Sequence, residues 1–135
     1  MSGAGAALAA AAEDLVGSPF RLHGRDPASG LDCVGVIAAA LTALNRKPKP
    51  PNGYELRQSD VEPLLGAAAR CGLALTVEPI APGDVILVRA GPAQHHLLIA
   101  SRSRGFIHAH AALRRVVHSP APLPWPELRR WRLAG

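Results

Sequence analysis

Aromatic residues are scarce in this chain, 4% of the total, which removes the stacking platforms that commonly hold single-stranded nucleic acid. No recognisable nucleic-acid-binding motif replaces them, so nucleic acid is not an expected partner. Long apolar runs are missing too. The alanine-rich start is interrupted by Glu13 and Asp14, and no segment reaches the roughly 20 apolar residues that span a bilayer. That start also has no basic residue before Arg21 and reads poorly as a secretory signal. The expectation is a protein made in the cytoplasm without a signal peptide and with no membrane span.

Cysteine is nearly absent. Cys33 and Cys71 are the two present, too few for a disulfide scaffold and without the C-x-x-C grouping of structural zinc. Acidic residues number 10 against 15 Lys and Arg, a formal charge of +5. Arg114, Arg115, Arg129, Arg130 and Arg132 gather that charge near the end, which suits an anionic partner. Apolar side chains are plentiful. At 48% of 135 residues they suffice for one core, and a single domain over residues 1–135 is expected.

Leu8, Ala12, Leu15 and Val16 repeat at helical spacing and predict a helix over Ala6 to Val16, stopped by Gly17-Ser18-Pro19. Phe20 to Leu31, with its glycines and proline, predicts a surface loop. From Cys33 the apolar positions Cys33, Val36, Ile37, Ala40, Leu41 and Leu44 give the clearest amphipathic helix. Asp32 stands at its N-cap position. Lys47 to Pro51 cannot continue a helix and predicts an extended linker. A third helix starts near Ser59 or at Glu62 and closes at Cys71-Gly72. Five strands follow: Leu73 to Val77, Asp84 to Arg89, His95 to Ala100, Phe106 to His110 and Leu113 to His118. Helices first and strands afterwards predict an α+β domain, helices packed on a five- to six-stranded antiparallel sheet.

Cys33 begins the clearest helix, where free N–H groups and the positive end of the macrodipole favour a thiolate. Cys71 ends a helix, where the dipole opposes negative charge, and reads as an inert core thiol. A thiol nucleophile needs a proton acceptor, and the acceptor needs a third group to fix its tautomer. Of six histidines, His95, His96, His108 and His110 lie on two consecutive predicted strands joined by Ser101 to Gly105. Alternation puts His95 and His96 on opposite faces and His108 with His110 on one. An odd loop brings His96 to that face and an even one brings His95; the apolar run Leu97-Leu98-Ile99 does not choose between them. Zinc is disfavoured because neither an H-E-x-x-H helix nor a nearby carboxylate accompanies these strands. No metal or organic cofactor is expected.

Gly17-Ser18-Pro19-Phe20-Arg21, then Asp32-Cys33-Val34-Gly35, Pro82-Gly83-Asp84-Val85, His96-Leu97-Leu98-Ile99 and Phe106-Ile107-His108-Ala109 occur in an order that resembles the NlpC-type cell-wall cysteine endopeptidases. The resemblance implies a papain-like core, with Cys33 as nucleophile, His96 as general base and His108 orienting the base. Phe20, His23, Asp32, His95 and His110 are then the expected substrate-contacting set. It implies hydrolysis of amide bonds in peptidoglycan peptide stems, at the γ-D-glutamyl to diaminopimelate link. Phe20 stands where most relatives carry a tyrosine, Val34 where a serine is frequent, and His23 interrupts a usual Gly-Gly pair. The short length, the missing signal and the aliphatic-glycine ending of the cysteine motif are similar to phage and gene-transfer-agent cell-wall peptidases. That branch implies phage-like tail proteins as partners and action on the periplasmic cell wall, in a virion-like particle or after lysis. Two other readings accompany this one: a non-catalytic tail-assembly module, and a Cys-His acyltransferase or amidase.

Overall fold

The computed structural model describes residues 3–48, 62–92 and 94–134. Helix α1 runs over Gly3–Glu13, α2 over Cys33–Ala43 and α3 over Glu62–Arg70. Between α1 and α2 lies a small antiparallel ribbon of β1 (Arg25–Asp26) and β2 (Gly30–Leu31). Strands β3 (Leu73–Leu75), β4 (Val85–Gly91), β5 (Gln94–Ala100), β6 (Gly105–His110), β7 (Arg115–Pro120) and β8 (Glu127–Leu133) build one antiparallel sheet in the order β3-β8-β4-β5-β6-β7. This is the expected α+β arrangement, with α1 and α2 packed against the sheet.

Strands β4 and β5 explain why their sequences show no alternation. Val85, Ile86, Leu87 and Val88 are all buried. Odd-numbered side chains Val85, Leu87, Leu97 and Ile99 pack with Leu8, Val36 and Leu41 of the helices. Even-numbered Ile86, Val88, Leu98 and Ala100 form a second cluster with Phe106 on the opposite face, covered by Leu123 and Trp125 from the β7–β8 connection. A sheet buried on both faces reads as a continuous apolar run.

The structure corrects several element boundaries. Helix α1 begins at Gly3 rather than Ala6 and its regular part ends at Glu13, so Val16 is exposed. The sixth strand, β8, was not located by pattern. It carries Arg129, Arg130 and Arg132 and lies inside the sheet, between β3 and β4. Phe20 to Leu31 is no simple surface loop, since Leu31 is fully buried. A Cβ on Gly35 would collide with the carbonyl oxygen of Gly24, so the loop lies directly on α2. Helix α3 starts at Glu62; the alternative start at Ser59 and most of the Lys47 to Pro51 linker lie outside the described residues.

Two of the three β8 arginines are explained by Asp84, which is fully buried. Its carboxylate accepts from Arg132 Nε and Nη2, both at 2.9 Å, and from the Ala81 N–H at 2.9 Å. Arg130 Nε approaches the same carboxylate at 4.0 Å. The pair clamps the start of β4 to β8. Removing Asp84 deprives Arg132, whose side chain is a third exposed, and the Ala81 N–H of their acceptor. Asp84→Ala is therefore expected to lower stability by about 2 kcal/mol in urea unfolding; a loss too small to measure would show that the clamp is dispensable.

Candidate active site

Asp32 organises the entrance to α2. Extended at the cap position, it accepts from the Gly35 N–H at 2.8 Å, as an N-cap does. The same carboxylate takes the His23 N–H at 2.9 Å and Arg25 Nη1 at 3.0 Å. It therefore ties the preceding loop to the helix. His23 has φ +59°, the left-handed conformation that glycine adopts most easily.

Cys33 follows as the first residue of α2 and is 4% exposed. Its sulfur has the backbone N–H groups of Leu97, Val34 and Cys33 itself nearby, each favouring the thiolate. Burial outweighs them, and together with the charge of Asp32 it pushes the thiol up to about 12. The helix terminus alone predicts a thiol shifted down. The structure corrects this, because desolvation of the anion exceeds what the helix end returns. At neutral pH Cys33 is a protonated thiol.

The β5–β6 hairpin settles the histidine parity. Ile99 pairs with Ile107 and Ala100 with Phe106, which makes Ser101 to Gly105 a five-residue connection and places His96 on the face of His108. The ladder holds those two pairs only, so toward His96 the strands part. The N–H of Leu97 is thereby left to the Cys33 sulfur. His96 Nε2 meets His108 Nδ1 at 2.8 Å, a diagonal contact across the opened strands. His108 Nε2 meets Ser119 Oγ on β7 at 2.8 Å. The indole of Trp125 packs edge-on against both imidazoles, at centroid distances of 5.7 Å to His96 and 6.1 Å to His108.

These groups converge on one cleft of about 490 Å³, a size suited to a small peptide. Cys33, His96 and His108 line it, and so do Phe20, His23, Asp32, His95 and His110. All eight residues singled out from the sequence are brought together here. Trp125, Gln94 and Leu22 also line the cleft and were missed, as was Ser119. A tryptophan set among prolines, Leu123-Pro124-Trp125-Pro126, was the available signal for Trp125. Ser119 had none, because its partner is reached across strands. Asp32 is the one carboxylate among the described lining residues. No cluster of three or more His, Cys, Asp or Glu able to hold a metal is found among the described residues, and none of their helices is long and apolar enough to cross a membrane.

Burial drives His96 down to about 3, with the positive charge of His108 and His110 adding to the effect. His108 falls to about 4, from burial and then His110. Both are neutral at physiological pH. In the unfolded chain they titrate near 6.5, so below that pH the unfolded state takes up protons that the native state refuses. Their stabilising effect is complete above pH 6.5 and is lost as pH falls toward 4 and 3. Stability is expected to drop by on the order of 5 kcal/mol between pH 6.5 and pH 4, with His96→Gln removing about half of the slope, because the downward shift of His108 comes from burial and His110. Urea midpoints that do not move with pH over this range would contradict the burial of the pair.

No family model matches the chain, and no curated protein matches it by sequence. Solved structures do. NlpC1 from Trichomonas vaginalis superimposes with a TM-score of 0.67 at 22% identity, over 96% of this chain and 45% of that one. The NlpC/p60 domain of the peptidoglycan hydrolase SagA gives 0.64 at 24% identity, over 96% of this chain and 98% of the other. This chain has the NlpC/p60 fold. A third example, an NlpC/p60 family protein from Bacillus cereus, gives 0.63 at 19% identity over 91% of this chain and 38% of that one. The chain thus spans less than half of the Trichomonas and Bacillus proteins and nearly all of the SagA domain. Across the cleft, α2 faces the β5–β6 hairpin.

Proposed function

We propose that the protein is a cysteine peptidase that hydrolyses amide bonds in peptidoglycan peptide stems. One observation carries this reading. A thiol at the first turn of a helix shares a cleft with an imidazole whose Nε2 is held by a second imidazole at 2.8 Å. That is the arrangement of nucleophile, base and orienting group that acyl transfer requires.

In the proposed reaction His96 uses its remaining nitrogen, Nδ1, to take the thiol proton as the Cys33 sulfur attacks the amide carbonyl. The sulfur–carbon bond forms, and the proton passes to the departing amine as the carbon–nitrogen bond breaks. Water, deprotonated by the same nitrogen, then hydrolyses the thioester and restores the thiol. The resting pair is neutral, a thiol pushed up to about 12 beside an imidazole pushed down to about 3. In the proposed reaction the proton is transferred as the sulfur attacks, since burial disfavours both charged forms beforehand. The N–H of Cys33 at the helix start is the proposed oxyanion donor, a group typically worth ~3 kcal/mol. Phe20 lines the cleft and contributes no hydroxyl to that task.

The γ-D-glutamyl to diaminopimelate link is the proposed bond, on the strength of the sequence resemblance. Its carboxylates suit a basic chain of +5 charge. Delivery by a phage-like or gene-transfer-agent tail is proposed on the same resemblance. The purified protein is expected to release fragments with one new amine terminus from muropeptides, identified by mass spectrometry. Release of nothing by the folded protein would count against the reading. Products joined to an added amine would move it to acyl transfer.

A further inference from the structure

We propose that Ser119 is a positioning residue whose hydroxyl holds the proton of His108 on Nε2 and, through His108, leaves Nδ1 of His96 bare to act as base. The proposal rests on the reading of His96 as base and goes beyond it by assigning a fourth member to the row. Ser119 Oγ, the two nitrogens of His108 and Nε2 of His96 follow one another in contacts of 2.8 Å and 2.8 Å.

Two proton arrangements satisfy such a row. In one, Ser119 accepts from Nε2–H of His108, Nδ1 of His108 accepts from Nε2–H of His96, and Nδ1 of His96 keeps its lone pair. In the other, every proton points the opposite way, and Nδ1 of His96 carries a hydrogen and accepts nothing. The first alone serves a base. It is also the one that survives proton uptake, because an imidazolium at His96 donates from both nitrogens and requires His108 Nδ1 as acceptor. The proton of His108 must then stay on Nε2, and Ser119 is the hydroxyl facing that atom.

The surroundings leave His108 little freedom to find another partner. It is 2% exposed, where a buried N–H without an acceptor is costly. Trp125 packs against its ring edge-on. The neighbouring His110, with ring centroid 5.9 Å away, is occupied elsewhere, its Nδ1 accepting from the Leu113 N–H at 3.1 Å. Ser119 reaches His108 because it pairs with Phe106 in the β6–β7 ladder, two residues along the same face.

Long-range proton–nitrogen NMR on uniformly labelled protein reads the His108 tautomer without any substrate. The wild type is expected to show a protonated Nε2 and a bare Nδ1, Ser119→Thr to keep that pattern, and Ser119→Ala to lose it. In stem-peptide hydrolysis Ser119→Ala is expected to lower kcat about tenfold with KM unchanged, and Ser119→Thr to restore it. A wild type carrying the His108 proton on Nδ1 overturns the proposal with no variant needed, as does a Ser119→Ala protein with the wild-type tautomer. A protein that shows the expected tautomer and its loss in Ser119→Ala, yet cleaves no stem peptide, retains the serine lock and discards the peptidase reading.

Discussion

Cys33→Ala is expected to lower the rate of stem-peptide cleavage by about 10⁴-fold or more while the protein stays folded. The side chain is 4% exposed and belongs to the helix–sheet core, so alanine removes one buried sulfur and little else. A cost of about 1–2 kcal/mol in urea unfolding with an unchanged circular dichroism spectrum is the expected structural consequence. Cys33→Ser is expected to be almost as inactive. A serine hydroxyl in the same desolvated position is a far weaker acid than the thiol, so the same imidazole removes its proton far less readily. Cys71→Ala serves as the control. It belongs to the edge of the same core but lies outside the cleft, and its cleavage rate is expected to match wild type.

His96→Gln is the second large effect, a fall of about 10³-fold in kcat. Glutamine retains a donor toward His108 Nδ1 but has no basic nitrogen, so the thiol must ionise unaided. With that thiol pushed up to about 12, its anion is rare at pH 7 and grows tenfold with each pH unit. The variant's rate is therefore expected to climb about tenfold per unit above pH 7, whereas the wild-type rate, with His96 already neutral, stays flat. Parallel profiles for the two proteins would remove His96 from the role of base.

Much of this site was legible in the residues. The Cys33 helix was, because its apolar stripe and the Asp32 cap are local signals, and the cap is present at 2.8 Å. The hairpin was legible in outline, as two histidine-bearing strands joined by Ser101 to Gly105, but its parity comes from the observed Ile99–Ile107 pairing. What pattern could not supply was the choice between His95 and His96, since β4 and β5 are apolar on both faces and offer no alternation to read. The family resemblance made that choice, and the parity agrees with it.

Other features depend on contacts distant in sequence. Strand β8 escaped notice because its arginines read as a charge cluster suited to an anionic partner, while two of them meet Asp84, 46 and 48 residues away in the chain. Ser119 and Trp125 belong to the site only through strand order and the covering of the second sheet face. The thiol's upward shift was likewise invisible from local pattern. A helix terminus can be recognised locally, but the desolvation that opposes it requires the whole core.

The most direct measurement is mass spectrometry of the protein quenched in acid during turnover of a stem peptide. The acyl portion of the substrate is expected on the tryptic peptide containing Cys33, as a thioester that hydroxylamine removes, and to be missing from the Cys33→Ala protein. An acyl group on any other residue, or continued cleavage by Cys33→Ala, would contradict the assignment of the nucleophile.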